Sequence, residues 1–255
     1  MIDIHSHILP GFDDGAVDLS ESLNMARAAV NEGIHTIVAT PHHQNGYYFN
    51  PKNDIEYHIL ELNNKLQEAN IPLTVLPGQE IRINLNIINE ILSGIIAPIN
   101  NTRYLFIELP SWEVPIFTEQ VIYEIQLNGY IPIIVHPERN RKLAENPSIL
   151  YNLVNKGALT QITASSLTGN FGKPIQKFAH QLIEHHLTHF IASDAHNITN
   201  RGFHMQKAYN IIKKTYGTEI YYMYLENSKL LIDGQYVIRN EPQKILKKKR
   251  IRRLF

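Results

Sequence analysis

Short apolar, β-branched runs recur along the chain at residues 2–5, 36–40, 73–76, 104–109, 131–135, 159–163 and 189–193. Each has the length and residue types of a strand. Segments with helical periodicity lie between most of them. The first helix is predicted to begin at Asp18, with Glu21 three residues later in a capping box. Its apolar face would hold Leu23, Ala26 and Val30, and Gly33 follows its end. Asn146-Pro147 reads as a second helix start, with proline at the first helical position. Residues 52–69, 84–92, 115–128, 174–186 and 201–216 also read as helices. Strands alternating with helices predict parallel βα units. No glycine-rich dinucleotide fingerprint is present, so the expected architecture is a barrel of βα units rather than a Rossmann fold. No internal repeat, low-complexity segment or clear linker interrupts it.

Composition narrows the class. The 255 residues are 44% hydrophobic and 19% charged, as in soluble globular chains. The absence of cysteine excludes disulfides, thiolate metal sites and cysteine nucleophiles, and it fits a reducing compartment. The start "MIDIHSH" lacks the basic and long apolar regions of a signal peptide, so a cytoplasmic protein is expected. The net charge of zero hides an asymmetry: from Arg239 onward eight Lys/Arg face one acid, Glu241, so the body is acidic. An acidic body argues against nucleic-acid binding. The expected organisation is one domain over 1–238 and a basic tail over 239–255. Apolar Ile245, Leu246, Ile251, Leu254 and Phe255 are interleaved with the tail's basic residues. That pattern suits a peripheral contact with an anionic membrane at its inner face.

The chemistry gathers at the strand ends. The first run ends in His5-Ser6-His7, and "DDG" (Asp13, Asp14, Gly15) follows. The second ends in Thr40-Pro41-His42-His43, and the third leads into Gly78-Gln79-Glu80. The fourth holds Glu108, the fifth ends in His136-Pro137-Glu138-Arg139, and the last ends in Ser193-Asp194-Ala195-His196. Parallel barrels place their sites on this face. In extended chain, residues i and i+2 share a side, so His5 and His7 can grip one ion, as can Asp194 and His196. Mixed imidazole and carboxylate ligands suit Mn, Fe or Zn, and mostly oxygen ligands would favour Mg or Ca. So many ligands suggest a cluster, with Glu80 or Asp194 bridging. Taken singly, each piece has a bland explanation. A lone HxH is often a packing pair, and "DDG" is a common turn with Gly15 supplying positive φ. Their shared position at strand ends is what the bland explanations leave out. His35, His58, His180, His185, His186, His189 and His204 read as surface or packing residues, and His43 is ambiguous.

Together "IDIHSHILPGFDDGA", "TPHH", "GQE", "IEL", "HPERN" and "SDAHN" resemble the PHP (polymerase and histidinol phosphatase) superfamily. More closely, they are similar to the manganese-dependent tyrosine phosphatases of Gram-positive capsule and exopolysaccharide operons, the CpsB/CapC type. The resemblance runs in order from Met1 to about Gly234. It implies a distorted (β/α)7 TIM-like barrel and three metal ions, Mn2+ in this family, with Fe, Zn or Mg as alternatives. Carried over, His5, His7, Glu80 and Asp194 would hold the first ion. Glu80, Glu108 and His136 would hold the second, and Asp14, His42 and His196 the third. Asp13 would support from behind or shape the turn. Arg139 and Arg201 match arginines used at the family's phosphate site.

Phosphate-ester hydrolysis follows naturally from such a set, because divalent ions activate water and clamp phosphoryl oxygens. Three readings are open. The first is a protein-tyrosine phosphatase acting on the tyrosine-rich tail of a cognate membrane-associated kinase and so regulating capsule synthesis. The second keeps the site but takes histidinol phosphate or another small ester. The third is a non-catalytic kinase regulator or adaptor with a structural metal. A homo-oligomer is implied by the resemblance alone.

Overall fold

The computed structural model describes residues 1–246. Its strands are β1 (Ile2–Ser6), β2 (Thr36–Ala39), β3 (His42–His43), β4 (Thr74–Pro77), β5 (Glu80–Arg82), β6 (Tyr104–Glu108), β7 (Ile131–Val135), β8 (Leu159–Thr163) and β9 (Phe190–Ala192). All pair in parallel, in one sheet of order β1-β2-β4 and another of order β3-β5-β6-β7-β8-β9. Two of the predicted runs are thus followed by a second, short strand that the pattern did not predict. After β2 the chain breaks at Thr40-Pro41, and after β4 at Gly78-Gln79, before β3 and β5 resume. At Gly78 an added Cβ would stand 2.7 Å from Val38 Cγ1 and 2.9 Å from Ile99 Cδ1, so any larger residue would have to push these side chains aside. The short second pieces carry the chemistry: register sets His42 opposite Glu80, and Arg82 opposite Glu108.

The last strand also meets the first. Asp194 N donates to His5 O at 2.9 Å, His7 N donates to Ala195 O at 2.8 Å, and Ser6 bridges Ala195 in parallel.

Alternation along the strands separates two apolar layers. Tyr104, Phe106, Ile133, Val135, Phe190 and Ala192 belong to one cluster with Ile4 and Val38. Leu105, Ile107, Ile134 and Ile191 face the other way, into the helices. Continuing the first series by two residues gives Glu108 on β6 and Asp194 after β9, so an apolar stripe ends in a carboxylate. In β1 the pairing register shifts between Asp3 and Ser6. Ile4 and the next residue, His5, therefore both face this layer, and the His5 ring lies 5.1 Å from that of Phe106.

The helices are α1 (Leu19–Asn31), α2 (Lys52–Glu68), α3 (Ile87–Leu92), α4 (Thr118–Leu127), α5 (Arg141–Glu145), α6 (Ser148–Asn155), α7 (Ala164–Thr168), α8 (Lys173–Glu184) and α9 (Met205–Ile232). Asp18 caps α1 by accepting from Glu21 N at 2.9 Å, and Glu21 reaches back to Val17 N at 3.1 Å. The face α1 buries is Ser22, Met25, Ala26 and Ala29, with Leu23 and Val30 on its margins. On α2, Ile55, Ile59, Leu62 and Leu66 are buried, each contributing roughly 1.5–3 kcal/mol. At α6, Pro147 already has helical angles (φ −60°, ψ −18°), while Asn146 does not (φ −138°, ψ 79°). The predicted helix over 201–216 begins later, at Met205, because residues 197–204 form a site loop. It then continues to Ile232, broken at Gly217 (φ 89°).

The first part of the predicted tail lies on the body. Gln243 N donates to His185 O at 2.8 Å, Lys244 sits over the Tyr151 ring, and Ile245 packs against the main apolar cluster. The basic run at 247–253, on which the membrane expectation rests, lies outside the described residues. Among the described residues, no helix is long and apolar enough to cross a membrane.

Candidate metal centre

The strand ends converge. His5 comes from β1 and His7 from just beyond it, His42 from β3, Glu80 from β5 and Glu108 from β6. His136 follows β7 in a left-handed conformation (φ 36°), as does Asp194 after β9 (φ 54°). Non-glycine residues pay for such angles, and they persist where the surroundings over-determine them. The turn at "DDG" is packed directly on His7. A Cβ at Gly15 would stand 2.0 Å from His7 O, and Ala16 N donates to that oxygen at 3.0 Å. Glycine is required here by close approach and not, as the sequence suggested, by positive φ, since Gly15 is not among the positive-φ glycines.

The ligand atoms of His5, His7, Glu80 and Asp194 lie within 4.8 Å of one another, as do those of His7, Asp14, His42 and His196. A third group joins His42, Glu80 and Glu108. The first predicted set is thus assembled whole, and the third gains His7. In the second, Glu80 and Glu108 are joined by His42, and His136 Nε2 lies 2.6 Å from Glu80 Oε1.

Distances within the first set are those of a coordination shell. His7 Nε2 lies 3.3 Å from Glu80 Oε2 and 3.2 Å from Asp194 Oδ1, and His5 Nε2 lies 3.4 and 3.5 Å from the same oxygens. Ligands about 2.1 Å from a tetrahedral ion stand about 3.4 Å apart. All four atoms are buried without a hydrogen-bond partner, and His196 Nε2 is likewise orphaned. Such atoms cost free energy unless something else satisfies them.

The backs of the imidazoles are occupied. His5 Nδ1 donates to Gln161 Oε1 at 2.9 Å, while Gln161 Nε2 is committed to Ile162 O. His7 Nδ1 donates to Asp13 Oδ2 at 2.6 Å, and His196 Nδ1 to Asp194 O at 2.9 Å. With each Nδ1 donating, each Nε2 turns its lone pair to the centre, the arrangement that fixes a metal-binding histidine. The residues therefore fit a bound cation.

Electrostatics agree. Burial opposes charge on Glu80, but His42 and His5 hold it well below the carboxylate range. Burial likewise opposes charge on Asp194, and Arg139 and His7 override it in the same way. His196 is pushed down to about 4 by burial and His7, and His136 to about 4 by burial and Arg139, so both are neutral donors at pH 7. His42 goes the other way. Despite burial, Glu80 and Asp14 raise it to about 10. The cluster demands positive charge at its centre, and a divalent cation is the stronger way to supply it. Glu108 is raised to about 7 by burial and Glu80, with His42 and Arg82 opposing.

Both predicted arginines reach the cluster's open side. Arg139 Nη1 lies 2.7 Å from Asp194 Oδ2, and Arg201 Nη1 lies 3.1 Å from Asp14 Oδ2. With His42, Glu108, Ser111 and His136 they line a cavity of about 260 Å³.

Sequence reasoning missed three residues. Gln161 was legible as a polar residue inside an apolar strand, "LTQIT". Asp3 accepts from Ser193 N at 2.9 Å and Ser193 Oγ at 2.5 Å, stitching β1 to the end of β9. Arg82 contacts Glu108 Oε2 at 2.9 Å, and its only signal was its place two residues beyond Glu80. His43 stays out of the cluster, its Nε2 turned 3.7 Å from Glu90. His35, His58, His180, His185, His186, His189 and His204 all lie outside it too.

A parallel α/β fold with a buried histidine–carboxylate cluster at its strand ends defines a metal-centre protein of hydrolase type. The chain belongs to the CpsB/CapC family: the family description "Capsular polysaccharide synthesis, CpsB/CapC" matches residues 1–233. It is 50% identical over 249 residues to the tyrosine-protein phosphatase YwqE of Bacillus subtilis, covering 98% of each chain. It is 44% identical over 251 residues to the putative tyrosine-protein phosphatase CapC of Staphylococcus aureus, again over 98% of each. A crystal structure from work on YwqE and the Streptococcus pneumoniae CpsB, described as metal-dependent tyrosine phosphatases, superposes with TM-score 0.95 at 50% identity. It covers 97% of this chain and 100% of that one. The histidinol phosphate phosphatase of Lactococcus lactis superposes with TM-score 0.52 at 17% identity, over 84% of this chain and 94% of that one, a likeness of fold alone.

Proposed function

We propose that the chain is a metal-dependent protein-tyrosine phosphatase. The observation that carries this is the ring of buried, partnerless ligand atoms beside two guanidinium groups at one cavity. Family membership and the named relatives support it. We read the strands as a distorted (β/α)7 barrel in which β2 with β3, and β4 with β5, are two interrupted strands. The contact of β1 with the end of β9 supports that closure. One phosphatase domain would span 1–238, with 239–255 as its tail.

Three Mn2+ ions are proposed. His5, His7, Glu80 and Asp194 would hold the first, Glu80, Glu108 and His136 the second, and Asp14, His42 and His196 the third. Glu80 would be shared, and the groupings around it support that role. Divalent ions held there supply Lewis acidity and an activated water for attack on phosphorus. The chain's own residues do the rest. Arg139 and Arg201 orient the phosphoryl group by paired N–H contacts and spread its charge. Asp194 fixes Arg139 in place. The tyrosine phenolate, with a solution pKa of about 10, departs with little help from an acid.

The proposed protein substrate is the phosphotyrosine-bearing tail of a membrane-associated kinase in capsule or exopolysaccharide synthesis. The capsule-family match supports that setting. The test is metal analysis of the purified full chain with hydrolysis of a phosphotyrosine peptide and of histidinol phosphate. Manganese-dependent peptide turnover, abolished by a chelator, is expected. Turnover of histidinol phosphate without the peptide would overturn the reading.

A further inference from the structure

Trp112 is the chain's single tryptophan, and it is 73% exposed. So large an aromatic surface is normally buried in a core or an interface. Looseness of its loop does not explain the exposure. Asn140, itself 4% exposed, donates through Nδ2 to Pro110 O at 2.7 Å and to Glu113 O at 2.8 Å. Its Oδ1 accepts from Leu143 N at 2.8 Å, and Arg141 N donates to Ser111 O at 2.8 Å. Loop 110–113 is therefore tied to the segment that carries Arg139. Ser111, Asn140 and Arg139 all line the cavity beside the metal centre. Ile116, four residues on from Trp112, is fully exposed as well.

We propose that this loop is the docking surface for the peptide chain flanking the phosphorylated tyrosine, with Trp112 as its apolar anchor. The inference rests on the tyrosine-phosphatase reading above. The cavity of about 260 Å³ suits one phosphorylated side chain, since even pockets for small ligands start at about 300 Å³. The backbone bearing that side chain must then lie along the rim, which Ser111 of this loop reaches, one residue from Trp112. An exposed indole on a tied backbone, with only two side-chain torsions to fix, offers an aliphatic, aromatic or proline residue next to the phosphotyrosine a broad face at little entropic cost. A small phosphate ester has nothing to place against it. Trp112 thus separates peptide from small-ester substrates.

The single tryptophan also makes the test direct. On the manganese-loaded full chain, kcat/KM is measured for a phosphotyrosine peptide with apolar neighbours and for p-nitrophenyl phosphate. Trp112→Ala should lower the peptide-to-ester ratio about tenfold, and Trp112→Phe should restore most of it. A peptide carrying a non-hydrolysable phosphonate should shift the intrinsic fluorescence of the wild type, and inorganic phosphate alone should not. An unchanged ratio in Trp112→Ala while the wild type still hydrolyses the peptide would overturn the docking surface and leave the activity standing. Wild-type turnover of p-nitrophenyl phosphate without the peptide would instead overturn the activity on which it rests. A fall in oligomer size of Trp112→Ala by sedimentation would assign the surface to a second copy of this chain and overturn the proposal.

Discussion

Asp13 Oδ2 lies 2.6 Å from His7 Nδ1, and the same oxygen accepts from His42 N at 3.0 Å. One carboxylate thus orients two candidate metal ligands from different strands, while its Oδ1 accepts from Gly15 N at 2.9 Å. Asp13→Asn keeps the shape but cannot offer both oxygens as acceptors. It should weaken metal affinity about 10- to 100-fold, the usual cost of losing an outer-shell partner. A metal titration of the folded variant checks this, and an unaltered affinity would remove Asp13 from the site's support.

Arg139 has a different role. It touches the candidate ligand Asp194 from the cavity side. Arg139→Ala should retain its metals and lose about 3 kcal/mol of transition-state stabilisation, roughly a hundredfold in kcat. Lysine should rescue poorly, because it lacks the planar fork. Metal analysis alongside kinetics separates the roles: metal loss in Arg139→Ala would make the residue part of the metal site's scaffold.

Gly15→Ala tests how the turn is built. The new Cβ would meet His7 O and His7 Cβ, which are backbone and near-backbone atoms that cannot swing aside. The turn must lift from β1, carrying Asp13 away from His7 and His42. Metal binding should fall at least as far as in Asp13→Asn, with thermal stability lowered by about 1–3 kcal/mol, the cost of overpacking. Wild-type metal affinity in Gly15→Ala would show that the turn and the site are independent.

Much of this centre was legible because its ligands occupy the strand ends, and a strand end shows in sequence as an apolar run giving way to polar residues. Glu108 and Asp194 follow an alternation that Tyr104–Phe106 and Phe190–Ala192 had already set. The break before each of the two short second strands was not legible. Between β4 and β5 it involves Gly78 passing close to Val38 and Ile99, a contact between distant segments. The start of α9 was misplaced for a similar reason. Helical propensity runs back toward Arg201, but Glu32 holds His204 N and Gln206 N at 3.1 Å each and sets the helix entry from across the fold. The left-handed backbone that turns His136 onto Glu80 was hidden as well. Motif order shows which residues meet but not which oxygen each one faces.

His189 gives a prediction away from the metal centre. It is buried, and its Nδ1 accepts from Thr160 N at 3.1 Å. Burial, aided by Arg239, pushes its pKa down to about 3. In the unfolded chain an imidazole titrates near about 6.5. Between about pH 6.5 and 3 the unfolded chain binds a proton that the folded chain refuses, so stability falls as pH drops through that window. Above it the residue contributes no pH dependence. The loss is on the order of 3 kcal/mol by pH 4. His189→Asn can still accept from Thr160 N through Oδ1 but does not titrate. Denaturant midpoints measured from pH 7.5 to 4 should therefore decline less steeply in the variant, by about one proton in the difference of slopes. A constant packing penalty should offset the two curves at neutral pH. If the wild-type and variant curves run parallel, His189 is protonated in the folded protein or relieved by local opening, and its burial is not the source of acid sensitivity.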